Sequence, residues 1–150
     1  MIVCPVEPKD RVEWLRMRCL LWSGSQTEHE REISAFFHER NPNLATFVID
    51  CGNNQLGGFL EARVRDYAEG CVTSRIGYVE GWYIDSDLRR QGLGQQLIQA
   101  AERWALSLGI CEMASDCLVE NEVSLMAHLA VGFEEVERII CFRKVLKSNV

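Results

Sequence analysis

Most of the marks of a membrane, secreted, metal-binding or nucleic-acid-binding protein are missing from this sequence. No apolar run approaches the roughly 20 residues that span a bilayer. Met1-Ile2-Val3-Cys4-Pro5 leads straight to Glu7, without a charged segment followed by an apolar stretch. Neither a membrane span nor an export leader is expected, and a cytoplasmic location is. The cysteines, at 4, 19, 51, 71, 111, 117 and 141, are odd in number and contain no C-x-x-C pair. That pattern suggests neither a disulfide framework nor a metal site, and the thiols are expected to be reduced. A basic excess is also absent: 16 Lys and Arg stand against 22 Asp and Glu, for a net charge of −6. With no basic cluster, nucleic acid is not an expected partner, whereas a cationic partner is readily accommodated. There is no repeat, low-complexity tract or linker. At 150 residues and 47% hydrophobic content, the chain can bury one sizeable core, so residues 1–150 are expected to form one domain.

What is present reads as alternating strands and helices. Met1 to Val6 is strand-like, and Lys9 to Trp22 carries Val12, Leu15, Cys19 and Trp22 at helical spacing. Ser23-Gly24-Ser25 breaks that helix, and Thr27-Glu28-His29-Glu30 has the form of a capping box for a second one bearing Ile33, Phe36 and Phe37. Leu44 to Asp50 and Leu56 to Val64 form a predicted hairpin about Gly52-Asn53-Asn54. A polar loop containing Tyr67, Glu69 and Gly70 leads to a strand over Gly77 to Ile84. Within it, Glu80 is costly unless it faces a cavity or a cation, and Gly81 suggests a bulge or a close backbone approach. Leu93, Leu97, Ala101, Trp104, Ala105 and Leu108 share one helical face, ended by Gly109. Glu112 to Asp116 is a short strand, Asn121 to Val131 a helix stopped by Gly132, and Phe133 to Val145 is strand-rich. The order predicts a mixed α/β sheet.

The stretch Arg89-Arg90-Gln91-Gly92-Leu93-Gly94 joins the apolar strand to the following helix. A helix start leaves backbone N–H groups without partners and carries partial positive charge, and glycine lets an anion approach closely. Arg89 and Arg90 add charge-assisted donors. A nucleoside-triphosphate loop would need Lys and Ser/Thr where Gln95 and Gln96 stand, and a dinucleotide loop would need a small residue at Leu97. The pattern Arg89-x-x-Gly92-x-Gly94 after a strand resembles the acyl-CoA pyrophosphate loop of the GNAT superfamily of N-acetyltransferases. A plain turn before a helix is the simpler alternative.

The element order is that superfamily's, and the likeness covers the whole chain. Val79-Glu80-Gly81, Glu112 to Asp116, Glu120-Asn121, Gly132 to Arg138, Trp22 and Phe142-Arg143-Lys144 resemble the aminoglycoside 6'-N-acetyltransferases. The resemblance implies the GNAT acyl-CoA N-acyltransferase fold, a mixed, mostly antiparallel sheet flanked by helices. It also implies acetyl transfer from acetyl-CoA to the 6'-amine of aminoglycoside antibiotics, usually by a homodimer. By that match, Trp22, Tyr67, Glu80, Asp116 and Glu137 line the aminoglycoside site. Trp82, Tyr83 and Ile84, with Arg89, Arg90, Gln91, Gly92, Leu93, Gly94 and Gln95, hold the acetyl and pyrophosphate portions of the cofactor, and Asn121 lies near its pantetheine end.

The chemistry follows from the residues as well. An ammonium has no lone pair, so attack on a thioester requires loss of a proton to a carboxylate, directly or through water, and Glu80 and Asp116 are the candidates. The developing oxyanion needs fixed donors, which backbone N–H groups freed by a bulge around Trp82 would supply. The departing thiolate needs a proton or a hydrogen bond. The superfamily commonly has a tyrosine five residues before the Phe of its Gly-Phe pair, where this chain has His128. Histidine can serve as that donor, and a helix histidine satisfied within its own helix is the competing reading. Two rival functions share the fold: acetylation of another small, polyamine or protein amine, and a non-catalytic acyl-CoA sensor.

Overall fold

The computed structural model describes residues 1–148. Contacts divide the chain into two compact units, Met1–Asp116 and Cys117–Val150. The first contains β1 (Ile2–Pro5), a 3-10 turn (Pro8–Asp10), α1 (Arg11–Leu21), α2 (Gln26–Glu39), β2 (Leu44–Gly52), β3 (Gln55–Arg65) and β4 (Ile76–Ile84). A 3-10 turn (Ser86–Leu88), α3 (Leu93–Ser107) and β5 (Met113–Ser115) complete it. The strands lie in the order β1-β2-β3-β4-β5, antiparallel except for the parallel β4–β5 pair. This is the mixed, mostly antiparallel α/β sheet expected from the sequence. Among the described residues no helix is long and apolar enough to cross a membrane.

Local chemistry accounts for the elements. Asn53 and Asn54 both adopt left-handed φ, 54° and 60°, the geometry a two-residue hairpin turn needs to match strand twist. α3 buries Leu93, Leu97, Ile98, Ala100, Ala101 and Ala105, a face whose small residues let the helix lie close to the strands. Gly109 ends it with φ of 76°. A core of Val6, Trp14, Met17, Ile33, Val48, Leu56 and Phe59 joins α1 and α2 to the sheet.

Two glycines of β4 show that helices cover both faces of the sheet. A Cβ on Gly77 would lie 3.2 Å from Ala105 of α3, and one on Gly81 would lie 2.4 Å from the Trp22 ring at the end of α1. In an unbroken strand residues 77 and 81 would share a face. The alternation is reversed between them by a bulge: Glu61 opposes Gly81 and Ala62 opposes Val79, leaving Glu80 as the extra residue.

Three sequence expectations are corrected. On α1 the buried residues are Trp14, Met17 and Arg18, whereas Val12 is 78% exposed and Cys19 is exposed. The core-facing stripe is obscured in the sequence because a charged residue sits in it, stabilised by partners from other elements. α2 begins two residues earlier than the Thr27 box, with the Ser25 hydroxyl accepting from Glu28 N–H at 3.1 Å. Phe133 to Val145 is not strand, for residues 133–148 have no regular secondary structure. A strand exists only by pairing, and no strand among the described residues pairs with this segment.

In the second unit, α4 (Glu122–Ala130) is capped by the Asn121 side chain, which accepts from Ser124 N–H at 3.0 Å. Gly132, with φ of 99°, lies just past its end.

Candidate functional site

β5 pairs with β4 only at Gly77, Tyr78 and Val79. Past Val79, β4 runs on to Ile84 beyond the last residue paired with β5, toward the turn into α3. The bulge sits at Glu80, two residues before Trp82 where the sequence suggested it, and just past the last residue paired with β5.

Just past β4 the chain is fixed at Asp85. Arg16 holds its carboxylate through two hydrogen bonds of 3.0 and 2.9 Å, Tyr83 donates its hydroxyl at 3.0 Å, and Asp85 N–H reaches Gly57 O at 2.9 Å. Burial works against ionisation of Asp85, but the bonds from Arg16 and Tyr83 outweigh it and hold the carboxyl below its usual range. Arg89 folds back to donate to Ile84 O at 3.0 Å, and Gln91 donates to Asp87 O at 3.3 Å. Arg90 and Gly92 take left-handed φ of 62° and 77°, turning the chain into α3. No side chain caps α3 at Gly92, so the N–H groups of Leu93, Gly94 and Gln95 have no intrahelical acceptor. A Cβ on Gly92 would meet nothing within 4 Å, whereas one on Gly94 would lie 3.0 Å from the Trp82 indole. Gly92 therefore suits the close approach of an anion, and Gly94 is also needed for packing on Trp82. Leu93 is buried and anchors the turn.

On the other face, Trp22 ends α1 with extended backbone, resting its ring edge against Gly81 and Phe59 (5.8 Å). The Arg18 guanidinium lies 4.9 Å from that ring. Arg18, itself buried, pairs with Glu61 at 2.7 Å and with Glu32, and Trp14 Nε1 donates to Glu61 at 2.9 Å. Burial, opposed by Arg18 and Trp14, pushes the Glu61 carboxyl up to about 7. An open cleft of about 660 Å3 beside this cluster is lined by Trp22, Glu28, Glu32, Glu39, Arg63 and Glu80.

Glu80 is half-buried and held by Arg65, whose Nε and Nη2 donate to its two oxygens at 2.9 and 2.8 Å; Arg63 Nε lies 3.9 Å away. The Arg65 guanidinium stacks 3.5 Å from the Tyr78 ring centre, and the Tyr78 hydroxyl donates to Asp116. Burial first, then the bond to Asp116, pushes the Tyr78 hydroxyl up, so it stays a donor.

The structure thus brings Trp22 and Glu80 to one cleft and links Asp116 to Glu80 through Tyr78 and Arg65. Trp82, Tyr83 and Ile84 lie in the part of β4 beyond the β5 pairing, and Arg89 to Gln95 form the turn into α3. Tyr67 is 66% exposed and lines a separate groove with Arg63 and Arg65. Asn121, His128 and Glu137 belong to the second unit. There the Asn121 side chain serves as helix cap and Glu137 is exposed. His128 Nδ1 lies 2.7 Å from Ser124 O; since a carbonyl only accepts, Nδ1 carries the proton, and the ring is edge-on to Phe133 at 5.3 Å. A neutral His128 therefore presents Nε2 as an acceptor.

Arg63, Arg65, Tyr78, Arg18 and Glu61 were missed by sequence reasoning. The alternation of Arg63 and Arg65 on one exposed strand face was their only local signal.

Three comparisons bear on this geometry. The model of the family described as "Acetyltransferase (GNAT) family" matches residues 9–133. The chain is 43% identical over 97% of its length to the aminoglycoside N(6')-acetyltransferase type 1 of Klebsiella aerogenes, covering 97% of that protein. Its fold superposes with a TM-score of 0.90 and 31% identity on the crystal structure of aminoglycoside antibiotic 6'-N-acetyltransferase AAC(6')-IG from Acinetobacter haemolyticus, covering 98% of this chain and 100% of that one. It also superposes, at 0.89 and 32% identity over 97% and 98% of the two chains, on AAC(6')-Iy in complex with the bisubstrate analog CoA-S-monomethyl-acetylneamine.

Proposed function

Because the chain belongs to the acetyltransferase (GNAT) family, we propose that it transfers the acetyl group of acetyl-CoA to the 6'-amine of aminoglycoside antibiotics and so confers resistance to them. The observation that carries this reading is the arrangement at the end of β4, where the chain turns into an uncapped helix start while the Trp22–Glu80 cleft lies beside Gly81. A phosphate-bearing acyl carrier fits the first and a cationic sugar the second.

Acetyl-CoA, when bound, supplies an acyl group activated as a thioester. Leu93, Gly94 and Gln95 N–H groups, with the left-handed Gly92 and the side chains of Arg90 and Gln91, would receive its pyrophosphate. The stretch from Trp82 to Ile84 would hold the acyl arm, and backbone N–H groups there would donate to the developing oxyanion. Glu80 and Asp116 would draw the ammonium in, and Glu80 would receive its proton directly or through water. Trp22 would stack against a sugar ring, with Tyr67 and Glu137 adding contacts and Asn121 lying near the pantetheine end. Since Nδ1 of His128 is committed to Ser124 O, protonation of the departing thiolate by this residue would require the imidazolium, with Nε2 as donor.

The working form is read as a homodimer of single-domain chains. In support, Val136, Ile139, Ile140, Phe142, Val145 and Leu146 are exposed in a strand-prone segment that a second copy can pair with. The family match crosses the boundary between the two compact units, which supports one domain over residues 1–150. The seven free thiols support a reducing, cytoplasmic setting. Neither nucleic acid nor a membrane enters this reading.

The test is acetyl-CoA-dependent modification of kanamycin, read by mass spectrometry because seven cysteines would obscure thiol release. Acetylation of kanamycin but not of an analogue with a 6'-hydroxyl is expected. Equal modification of the two would refute the 6'-amine as acceptor.

A further inference from the structure

The carboxylate best placed to bind a substrate amine already holds a cation. Both oxygens of Glu80 accept from the Arg65 fork, at 2.9 and 2.8 Å, and Arg63 lies 3.9 Å from one of them. Two guanidinium groups therefore face one carboxylate. Arg65 is held in place by more than this pair. Its guanidinium lies 3.5 Å from the Tyr78 ring centre, and Tyr78 donates to Asp116. One Arg–Tyr stack thus connects the two carboxylates assigned to the amine.

We propose that Arg65 is an internal competitor for Glu80, and that it sets how many positive charges a substrate must carry to be accepted. The proposal rests on the acetyl-transfer reading above. An incoming ammonium is a compact point charge with three donors, whereas Arg65 occupies Glu80 with a planar fork matched to the carboxylate. A lone ammonium must displace or share that fork while repelled by Arg65 and Arg63. A polycation makes further contacts in the same cleft, where Glu28 and Glu39 are exposed carboxylates, and can offset the displacement. Arg65 thereby discriminates against small monoamines without touching the reacting atoms. It is a specificity-determining residue acting through Glu80. The pair is accessible, at 39% and 28% side-chain exposure, so displacement does not require opening the core.

The experiment measures binding and steady-state constants for kanamycin and for methyl 6-amino-6-deoxyglucoside, a single ring with one ammonium. Wild type, Arg65→Met, Arg65→Lys, Glu80→Gln and Arg65→Met/Glu80→Gln are compared, each checked for folding by thermal melting. Arg65→Met should bind the monoamine about ten-fold more tightly, lowering KM more than it alters kcat, and kanamycin should gain less. Arg65→Lys, which keeps the charge but not the planar fork, should retain only part of the discrimination. In the Glu80→Gln background the Arg65→Met gain should vanish. The proposal is overturned if Arg65→Met leaves the monoamine unchanged, or weakens both ligands as Glu80→Gln does, which would make Arg65 an orienting partner. Wild type that neither binds nor acetylates kanamycin would overturn the acetyl-transfer reading instead.

Discussion

At the scale of single residues, the contact between Trp22 and Gly81 bears most on the proposed acceptor side. A methyl at position 81 would lie 2.4 Å from the indole, so Gly81→Ala must either move Trp22 or bend β4. Overpacking of this kind costs about 1–3 kcal/mol. Gly81→Ala is expected to melt lower and to raise KM for kanamycin several-fold more than KM for acetyl-CoA. Unchanged kinetics for both substrates would remove Trp22 from the site. Glu61 sets a second expectation, in pH. Its folded-state carboxyl is raised by burial to about 7 from an ordinary 4.5, so the folded state holds this proton more tightly than the unfolded chain. The corresponding stability is fully present below the ordinary range and is lost as pH rises through about 7. Thermal melting should decline from about pH 5 to about pH 8 in the wild type and be flatter in Glu61→Gln. An equal slope in both would assign the pH dependence elsewhere. Glu80, Gly81 and Gly92 were legible in the sequence because a carboxylate or glycine in an apolar strand or at a helix start is anomalous where it stands. Arg65 and Arg18 were not, since their partners are 15 and 43 residues away and only the fold brings them together.

At the scale of elements, the start of α3 is the proposed cofactor side. Gly92 has φ of 77° and open space around its missing side chain, so asparagine and aspartate there differ in charge while sharing shape and strain. Gly92→Asp is expected to bind acetyl-CoA at least ~10-fold more weakly than Gly92→Asn, because a carboxylate repels pyrophosphate at the positive helix end. Calorimetry on the two folded variants reads this directly, and equal affinities would remove the helix start from the phosphate site. α3 was readable because its buried stripe is uninterrupted and its ends are marked by glycine. The inward face of α1 was hidden by Arg18, a buried charge whose partners come from α2 and β3. The bulge in β4 was suggested by Gly81, but its register depends on pairing with β3 and so was readable only to within two residues.

At the scale of the whole molecule, the element order was legible throughout Met1–Asp116, where each strand has a neighbour in the same sheet. The strand expected over Phe133 to Val145 failed for the complementary reason, because alternation supplies propensity while pairing supplies the strand. If a second copy provides that pairing, concentration-dependent dimerisation should be lost when Ile140 and Phe142, 81% and 91% exposed, are both replaced by Asp. Sedimentation velocity tests this, and a wild-type monomer at all concentrations would contradict it. The central claim is that the end of β4 joins a phosphate-bearing donor, at the α3 start, to a cationic acceptor, in the Trp22–Glu80 cleft. It is tested most directly by initial rates with acetyl-CoA and kanamycin varied together, for wild type, Gly92→Asp and Glu80→Gln, with the acetylated nitrogen located by mass spectrometry. The expected result is a single acetyl group on the 6'-amine, KM for acetyl-CoA raised mainly by Gly92→Asp, and KM for kanamycin raised mainly by Glu80→Gln. Acetylation at another nitrogen, or both variants raising the same KM, would contradict the account.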